Sequence, residues 1–290
     1  FMNFSDLVNQ IKNKKSYLCV GLDSDINKIP KHLRELEDPI YEFNKRVIDA
    51  TKDLVVAYKP NIAFYEAQGS KGLISLEKTL NYIPENIFKI ADAKRGDIGN
   101  TSKMYAKSFF ESFNFDAVTL SPYMGKDSSI PYVEYKDKWI ILLALTSNNS
   151  SVDIQHFKNS TDKNLFEHVI EDSLKWSNKE NTMYVVGANR TSEFKKIRDI
   201  IPNSFILIPG VGTQGGKLKD ISLNSMNENC GIIVNVSRDI IYSDSSLLFE
   251  DQVRKKALEY KNEMESILIQ KGLVWKKTFK FYFFTAMQKY

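Results

Sequence analysis

The sequence predicts an α/β chain closed into a TIM (β/α)8 barrel, and three observations point there. Short β-rich apolar runs alternate with longer amphipathic stretches, the pattern of parallel strands joined by helical crossovers. About eight such pairs fit within roughly 250 residues, the length of one barrel. Polar residues gather just after the runs, at the ends that a barrel brings together on one face.

The runs cover residues 17–22, 55–58, 87–91, 117–120, 139–145, 183–186, 205–208 and 231–234. Each is nearly continuous in apolar residues, as expected of strands covered on both faces. Between them, Ile40, Phe43, Val47, Ile48 and Leu54 form one helix-period stripe, and Leu165, Phe166, Val169, Ile170 and Leu174 form another. Phe194, Ile197, Ile200 and Ile201 mark a shorter helix; Val253, Ala257, Tyr260, Met264 and Ile267 mark the last. Residues 148–163 are polar and read as an extended loop. An open doubly wound sheet shares this alternation, but no Gly-x-Gly-x-x-Gly follows the first run, against its dinucleotide-binding form. The barrel domain is expected over residues 1–270. Residues 271–290, aromatic and basic without a clear period, form a tail of unassigned role.

Composition narrows the class. With 42% hydrophobic and 26% charged residues the chain has an ordinary globular balance. Forty Lys and Arg against thirty-six Asp and Glu leave a net charge of +4, too mild for a nucleic-acid partner, which calls for a clustered basic face. Two cysteines do not make a disulfide framework and suit a reducing compartment. Cys19 and Cys230, close to the first and last runs, read as core thiols. No apolar run approaches the ~20 residues needed to cross a bilayer, so no membrane partner is expected. The expected location is cytoplasmic. His32, His156 and His168 show no ligand spacing, and no Cys/His cluster suggests a metal.

The chemistry concentrates where the runs end. Asp23 follows the first run, Lys59 and Asn61 the second, and Asp92 and Lys94 the third. Thr146 and Ser147 follow the fifth, Pro209 and Gly210 the seventh, and Asn235 and Arg238 the eighth. Asp92 and Lys94, two apart, share a face if the strand continues through them. Gly96 and Gly99 permit a tight turn that returns Asp97 to the neighbourhood. Lys59 adds a second ammonium, giving an alternating array of Asp92, Lys94, Asp97 and Lys59. A solvated charge cluster is the bland alternative, but the third run stays apolar up to Asp92, which favours a pocket. The glycine-rich segment 210–216 offers backbone N–H groups to an anion, and Arg238 matches a phosphate bidentately.

The segment Asp92-Ala93-Lys94-Arg95-Gly96-Asp97 resembles the D-x-K-x-x-D signature of the orotidine 5'-phosphate decarboxylase family. The resemblance continues, in the family's order, through Gly21-Leu22-Asp23, Tyr58-Lys59-Pro60-Asn61, Pro209-Gly210-Val211-Gly212 with Gln214, and Asn235-Val236-Ser237-Arg238. It implies a cofactor-free, metal-free conversion of orotidine 5'-monophosphate to uridine 5'-monophosphate in pyrimidine synthesis. Lys94 would be the proton donor to C6, Asp92 would sit beside the departing carboxylate, and Lys59 would hold the array and contact the ribose. Asp97 and Thr101, with Ile98 between them, would serve the neighbouring site of a homodimer with shared active sites. Asp23 would accept from a ribose hydroxyl, and Asn61, Pro209 and Ser237 would complete the substrate contacts. Ser147 would read the pyrimidine, Gln214 would bridge phosphate and base, and Arg238 would hold the phosphate. Asp239 departs from the pattern, which usually has a small residue there, and places an anion close to the phosphate site. Two other readings remain at this point: a Mg2+-dependent sugar-phosphate decarboxylase or aldolase on the same barrel, and a non-catalytic nucleotide-binding module.

Overall fold

The structure is a computed structural model, in which residues 2–212 and 217–275 are described. Eight parallel strands close into a barrel in chain order: β1 (Leu18–Leu22), β2 (Ala57–Pro60), β3 (Phe88–Arg95), β4 (Ala117–Leu120), β5 (Trp139–Leu145), β6 (Thr182–Val186), β7 (Phe205–Pro209) and β8 (Ile232–Val236). Closure is made by β8 on β1, with Leu18 opposite Val234 and Cys19 opposite Asn235. Strands β1, β2, β4, β6 and β8 are buried along their whole length, as their continuous apolar runs require.

The lower end of the barrel is sealed by aromatic rings. Phe88, Trp139 and Phe205 open β3, β5 and β7, so alternate strands supply one layer of the interior. Phe4, from the helix Phe4–Lys14, packs edge-on to Phe205 and stacks near Trp139, whose indole N–H donates to the Met2 carbonyl at 2.8 Å. A capping box between Asn3 and Asp6 fixes the start of that helix. Outside the barrel, Tyr17, just before β1, and Tyr58 and Tyr184, on β2 and β6, carry their hydroxyls to helix partners. Tyr17 meets Ser222 at 2.8 Å, Tyr58 meets Thr51 at 2.7 Å, and Tyr184 meets Ser173 at 2.7 Å. Each ring thus buries its apolar body while its polar tip stays satisfied.

Several expectations need adjustment. Residues 148–163 are not wholly extended: Asn149–Asp153 forms a 3-10 turn and Lys158 bridges to Asn164. Leu174 ends its helix exposed instead of joining the stripe. Cys230 lies in the turn before β8 at φ 70°, although both cysteines are buried and free as expected. The last helix runs Phe249–Gln270, and the part of the expected tail from residue 276 onward lies outside the described residues. Among the described residues no helix is long and apolar enough to cross a membrane.

Candidate active site

With the lower end sealed, the open face of the barrel is the one bearing the strand C-termini. There a cavity of about 160 Å3 is lined by Asp23, Lys59 and Asp92 on one side. Pro209, Val211, Asn235, Ser237 and Arg238 line the other.

Asp92 is the centre of the charge set. One of its oxygens accepts from the Lys59 ammonium at 2.6 Å, and the other accepts from Lys94. Burial is uneven: the Lys59 side chain is 4% exposed, Asp92 12% and Lys94 52%. Lys59 is therefore the buried anchor, and Lys94 the member that faces outward. Burial alone would disfavour the charged form of Asp92, but the two ammoniums outweigh it and hold the carboxyl well below the usual carboxylate range. Burial likewise opposes the charge on Lys59, and the carboxylates of Asp92 and Asp23 overcome it, raising its pKa above the ordinary lysine value.

The pairing of Asp92 with Lys94 does not come from simple strand alternation. Lys94 adopts φ 48°, in the left-handed region, and the register of β3 on β4 shifts between Ala91 and Arg95. Such a conformation costs of order 1–3 kcal/mol and persists where neighbours enforce it. Here the enforcer is Thr119 on β4, whose hydroxyl oxygen accepts from the backbone N–H of Ala93 at 2.9 Å and of Lys94 at 2.8 Å. Sequence reasoning missed Thr119; its signal was a lone hydroxyl in an otherwise apolar run.

Asp97 is not brought into this ion-paired set. Its carboxylate accepts from the Ile98 backbone N–H at 2.8 Å, and the set of Lys59, Asp92 and Lys94 closes without it. Ile98 is exposed, and Thr101 lies exposed on the helix Gly99–Lys107 that begins just after it. Asn61 caps the helix Ile62–Glu66, its side-chain oxygen accepting from Ala63 N–H at 3.3 Å. Asp23 lines the cavity, and its buried Oδ1 has no hydrogen-bond partner among the described residues.

Ser147 follows β5 on the same face, where Asn189 donates to its carbonyl at 2.9 Å. Arg190 donates to the neighbouring Thr146 carbonyl at 3.1 Å, so the turn after β6 clamps the loop after β5. A Cβ at Gly187 would come within 2.8 Å of the Ser147 backbone, which explains the glycine there. On β8, Asn235 donates to the Ser237 hydroxyl at 3.1 Å and accepts from the Cys19 thiol at 3.5 Å, orienting Ser237 at the cavity wall. Arg238 opens the short helix Arg238–Ile241 at the cavity edge. Gln214 lies outside the described residues. Among the described residues, no three His, Cys, Asp or Glu side chains come together as a metal site.

Comparison with known proteins agrees with this fold. The profile of the orotidine 5'-phosphate decarboxylase / HUMPS family matches residues 16–247. A protein of Phocaeicola vulgatus named orotidine 5'-phosphate decarboxylase is 53% identical over 272 residues, covering 93% of this chain and all of that one. A protein of the same name from Flavobacterium johnsoniae is 54% identical over 273 residues, with the same coverage. Among solved structures, Leishmania donovani OMP decarboxylase superposes with a TM-score of 0.79 at 34% identity, over 92% of this chain and 99% of that one. Leishmania donovani UMP synthase gives a TM-score of 0.81 at 35% identity, and this chain spans 57% of its length. The chain belongs to the orotidine 5'-phosphate decarboxylase / HUMPS family.

Proposed function

We propose that this enzyme is a carboxy-lyase that converts orotidine 5'-monophosphate to uridine 5'-monophosphate without a cofactor, using the set built on Asp92. The observation that carries the reading is the double acceptance by Asp92 from buried Lys59 and half-exposed Lys94. Breaking the bond from C6 to the carboxyl carbon leaves an electron pair on C6 with no ordinary sink, so the site must meet that charge with a fixed cation. Lys94, aimed by Asp92, supplies the ammonium. As CO2 departs, its Nζ–H proton passes to C6 and the amine regains a proton from water. Asp92 faces the substrate carboxylate. Two such charges ~4 Å apart repel by about 4 kcal/mol at an effective dielectric near 20, and that repulsion is relieved as CO2 leaves. Lys59 keeps Asp92 ionised throughout.

The remaining residues position the nucleotide. The unpartnered Asp23 Oδ1 suits a ribose hydroxyl as donor. Arg238 and the backbone of Gly210 and Gly212, both at positive φ, suit the phosphate. Ser147, clamped by Asn189, reads the pyrimidine, and Asn61, Pro209, Ser237 and Gln214 complete the binding set. Asp97, Ile98 and Thr101 are assigned to the site of a second copy in a homodimer, in keeping with their place outside the ion-paired set. Residues 1–270 form the catalytic domain and 271–290 an appended tail.

The test is to follow the ultraviolet absorbance of orotidine 5'-monophosphate mixed with the protein in the presence of a strong chelator. Loss of substrate absorbance at an unchanged rate is expected. Activity abolished by the chelator would favour the metal-dependent branch, and no loss of absorbance under any condition would overturn the reading. For the shared site, mixing inactive Lys94→Ala and Asp97→Ala chains is expected to restore part of the activity through mixed dimers.

A further inference from the structure

Asp239 lines the same cavity as Arg238, so a bound phosphate would meet its carboxylate as a like charge if the side chain turned inward. The structure gives that carboxylate a restraint. Tyr260, on the last helix, donates its hydroxyl to Asp239 Oδ2 at 2.6 Å, and Lys256, one turn earlier on the same face, stands 3.9 Å from that oxygen. The same tyrosine hydroxyl also lies against the backbone at Gly212: a Cβ there would come within 2.6 Å of it, and Gly212 sits at φ 98°. Burial and the neighbouring Asp239 carboxylate both keep the phenol protonated, so it remains a donor.

We propose that Tyr260 is a positioning residue for phosphate binding, holding the Asp239 carboxylate away from the anion site that Arg238 and Gly212 border. This rests on the assignment of Arg238 to the phosphate. The apolar stripe of the last helix accounts for packing at Tyr260 but not for a hydroxyl aimed at an acid in the cavity wall. With the hydroxyl removed, Asp239 is free to turn toward the cavity and oppose an incoming dianion. The defect must then require both the phosphate on the ligand and the charge on Asp239.

The experiment is calorimetric titration of uridine 5'-monophosphate and of uridine into wild type, Tyr260→Phe, and Tyr260→Phe combined with Asp239→Asn. Tyr260→Phe is expected to bind the monophosphate about tenfold more weakly, the factor that about 1.4 kcal/mol represents, with uridine affinity unchanged. Adding Asp239→Asn is expected to bring the monophosphate back to within about twofold of wild type. A Tyr260→Phe protein that binds the monophosphate like wild type, or a loss that Asp239→Asn does not restore, overturns the proposal. Should Tyr260→Phe fail to fold by near-ultraviolet circular dichroism, Asp239→Asn alone carries the test. It is expected to bind the monophosphate at least as tightly as wild type, and a loss confined to the monophosphate would mean that the carboxylate itself supports the site. Arg238→Ala separates the two levels: if it costs no monophosphate affinity, the phosphate assignment fails, and the proposal with it.

Discussion

Asp92 joins a buried lysine to an exposed one: Lys59 anchors one carboxylate oxygen at 2.6 Å while Lys94 occupies the other. The two ammoniums hold their shared partner ionised, and the burial difference decides which of them is accessible from the cavity mouth. Lys59, almost inaccessible, stabilises the set; Lys94 is free to act.

This arrangement has a pH signature. Asp92 is held below the ordinary carboxylate range, so the stability it contributes is present above about pH 4 and is lost as pH falls from there through its folded value. Lys59 is raised, so its contribution is present below about pH 10 and is lost as pH rises through its folded value. Asp92→Asn leaves Lys59 buried without its partner and is expected to cost about 3–5 kcal/mol at neutral pH. Urea unfolding from pH 3 to 8 is expected to show that gap narrowing toward the acid end. A gap that stayed constant across the range would contradict the assignment.

Thr119→Val removes the acceptor for the N–H groups of Ala93 and Lys94 while keeping the volume. Leaving two part-buried donors without this acceptor is expected to cost about 1–3 kcal/mol of stability. Because Lys94 would lose its enforced backbone conformation, kcat is expected to fall by at least about tenfold with KM little changed. Steady-state kinetics beside denaturant melts separate the two effects.

Gly187→Ala drives a methyl group into the Ser147 backbone. The expected result is a stability loss of about 1–3 kcal/mol and a rise in KM larger than the fall in kcat, since the proposed role of the clamped loop is to contact the base and not the reacting carbon. Equal losses in kcat and kcat/KM would place Ser147 nearer the chemistry than proposed.

At the opposite end, Arg198 donates to the carbonyls of Ile201, Ser204, Ser225 and Gly231, tying together the chain that enters β7 and β8. Arg198→Met is expected to destabilise by about 3 kcal/mol or more while leaving kcat unaltered at a temperature where the variant is folded. Thermal melts and kinetics at low temperature check both halves.

Much of this was legible from the chain because a barrel converts sequence position directly into spatial position. Asp23, Lys59, Asp92, Pro209 and Arg238 each follow an apolar run, and closure alone brings them to one cavity. What escaped depended on local backbone geometry. The left-handed turn at Lys94 leaves no mark in hydrophobic periodicity, and Thr119 matters only because that turn points two N–H groups at it. The partner of Asp239 was equally hidden, since Tyr260 follows it by 21 residues on a helix whose period announces only packing.

In the proposed mechanism Lys94 delivers the proton to C6. That role is tested most directly by the rate at which Lys94→Ala consumes orotidine 5'-monophosphate, followed by ultraviolet absorbance, once calorimetry has shown that the variant still binds uridine 5'-monophosphate. Binding is expected to persist and turnover to fall by at least about a thousandfold, the scale of losing a positioned proton donor and its charge together. Turnover within about tenfold of wild type would contradict it, because a loss that small is below what a positioned general acid contributes.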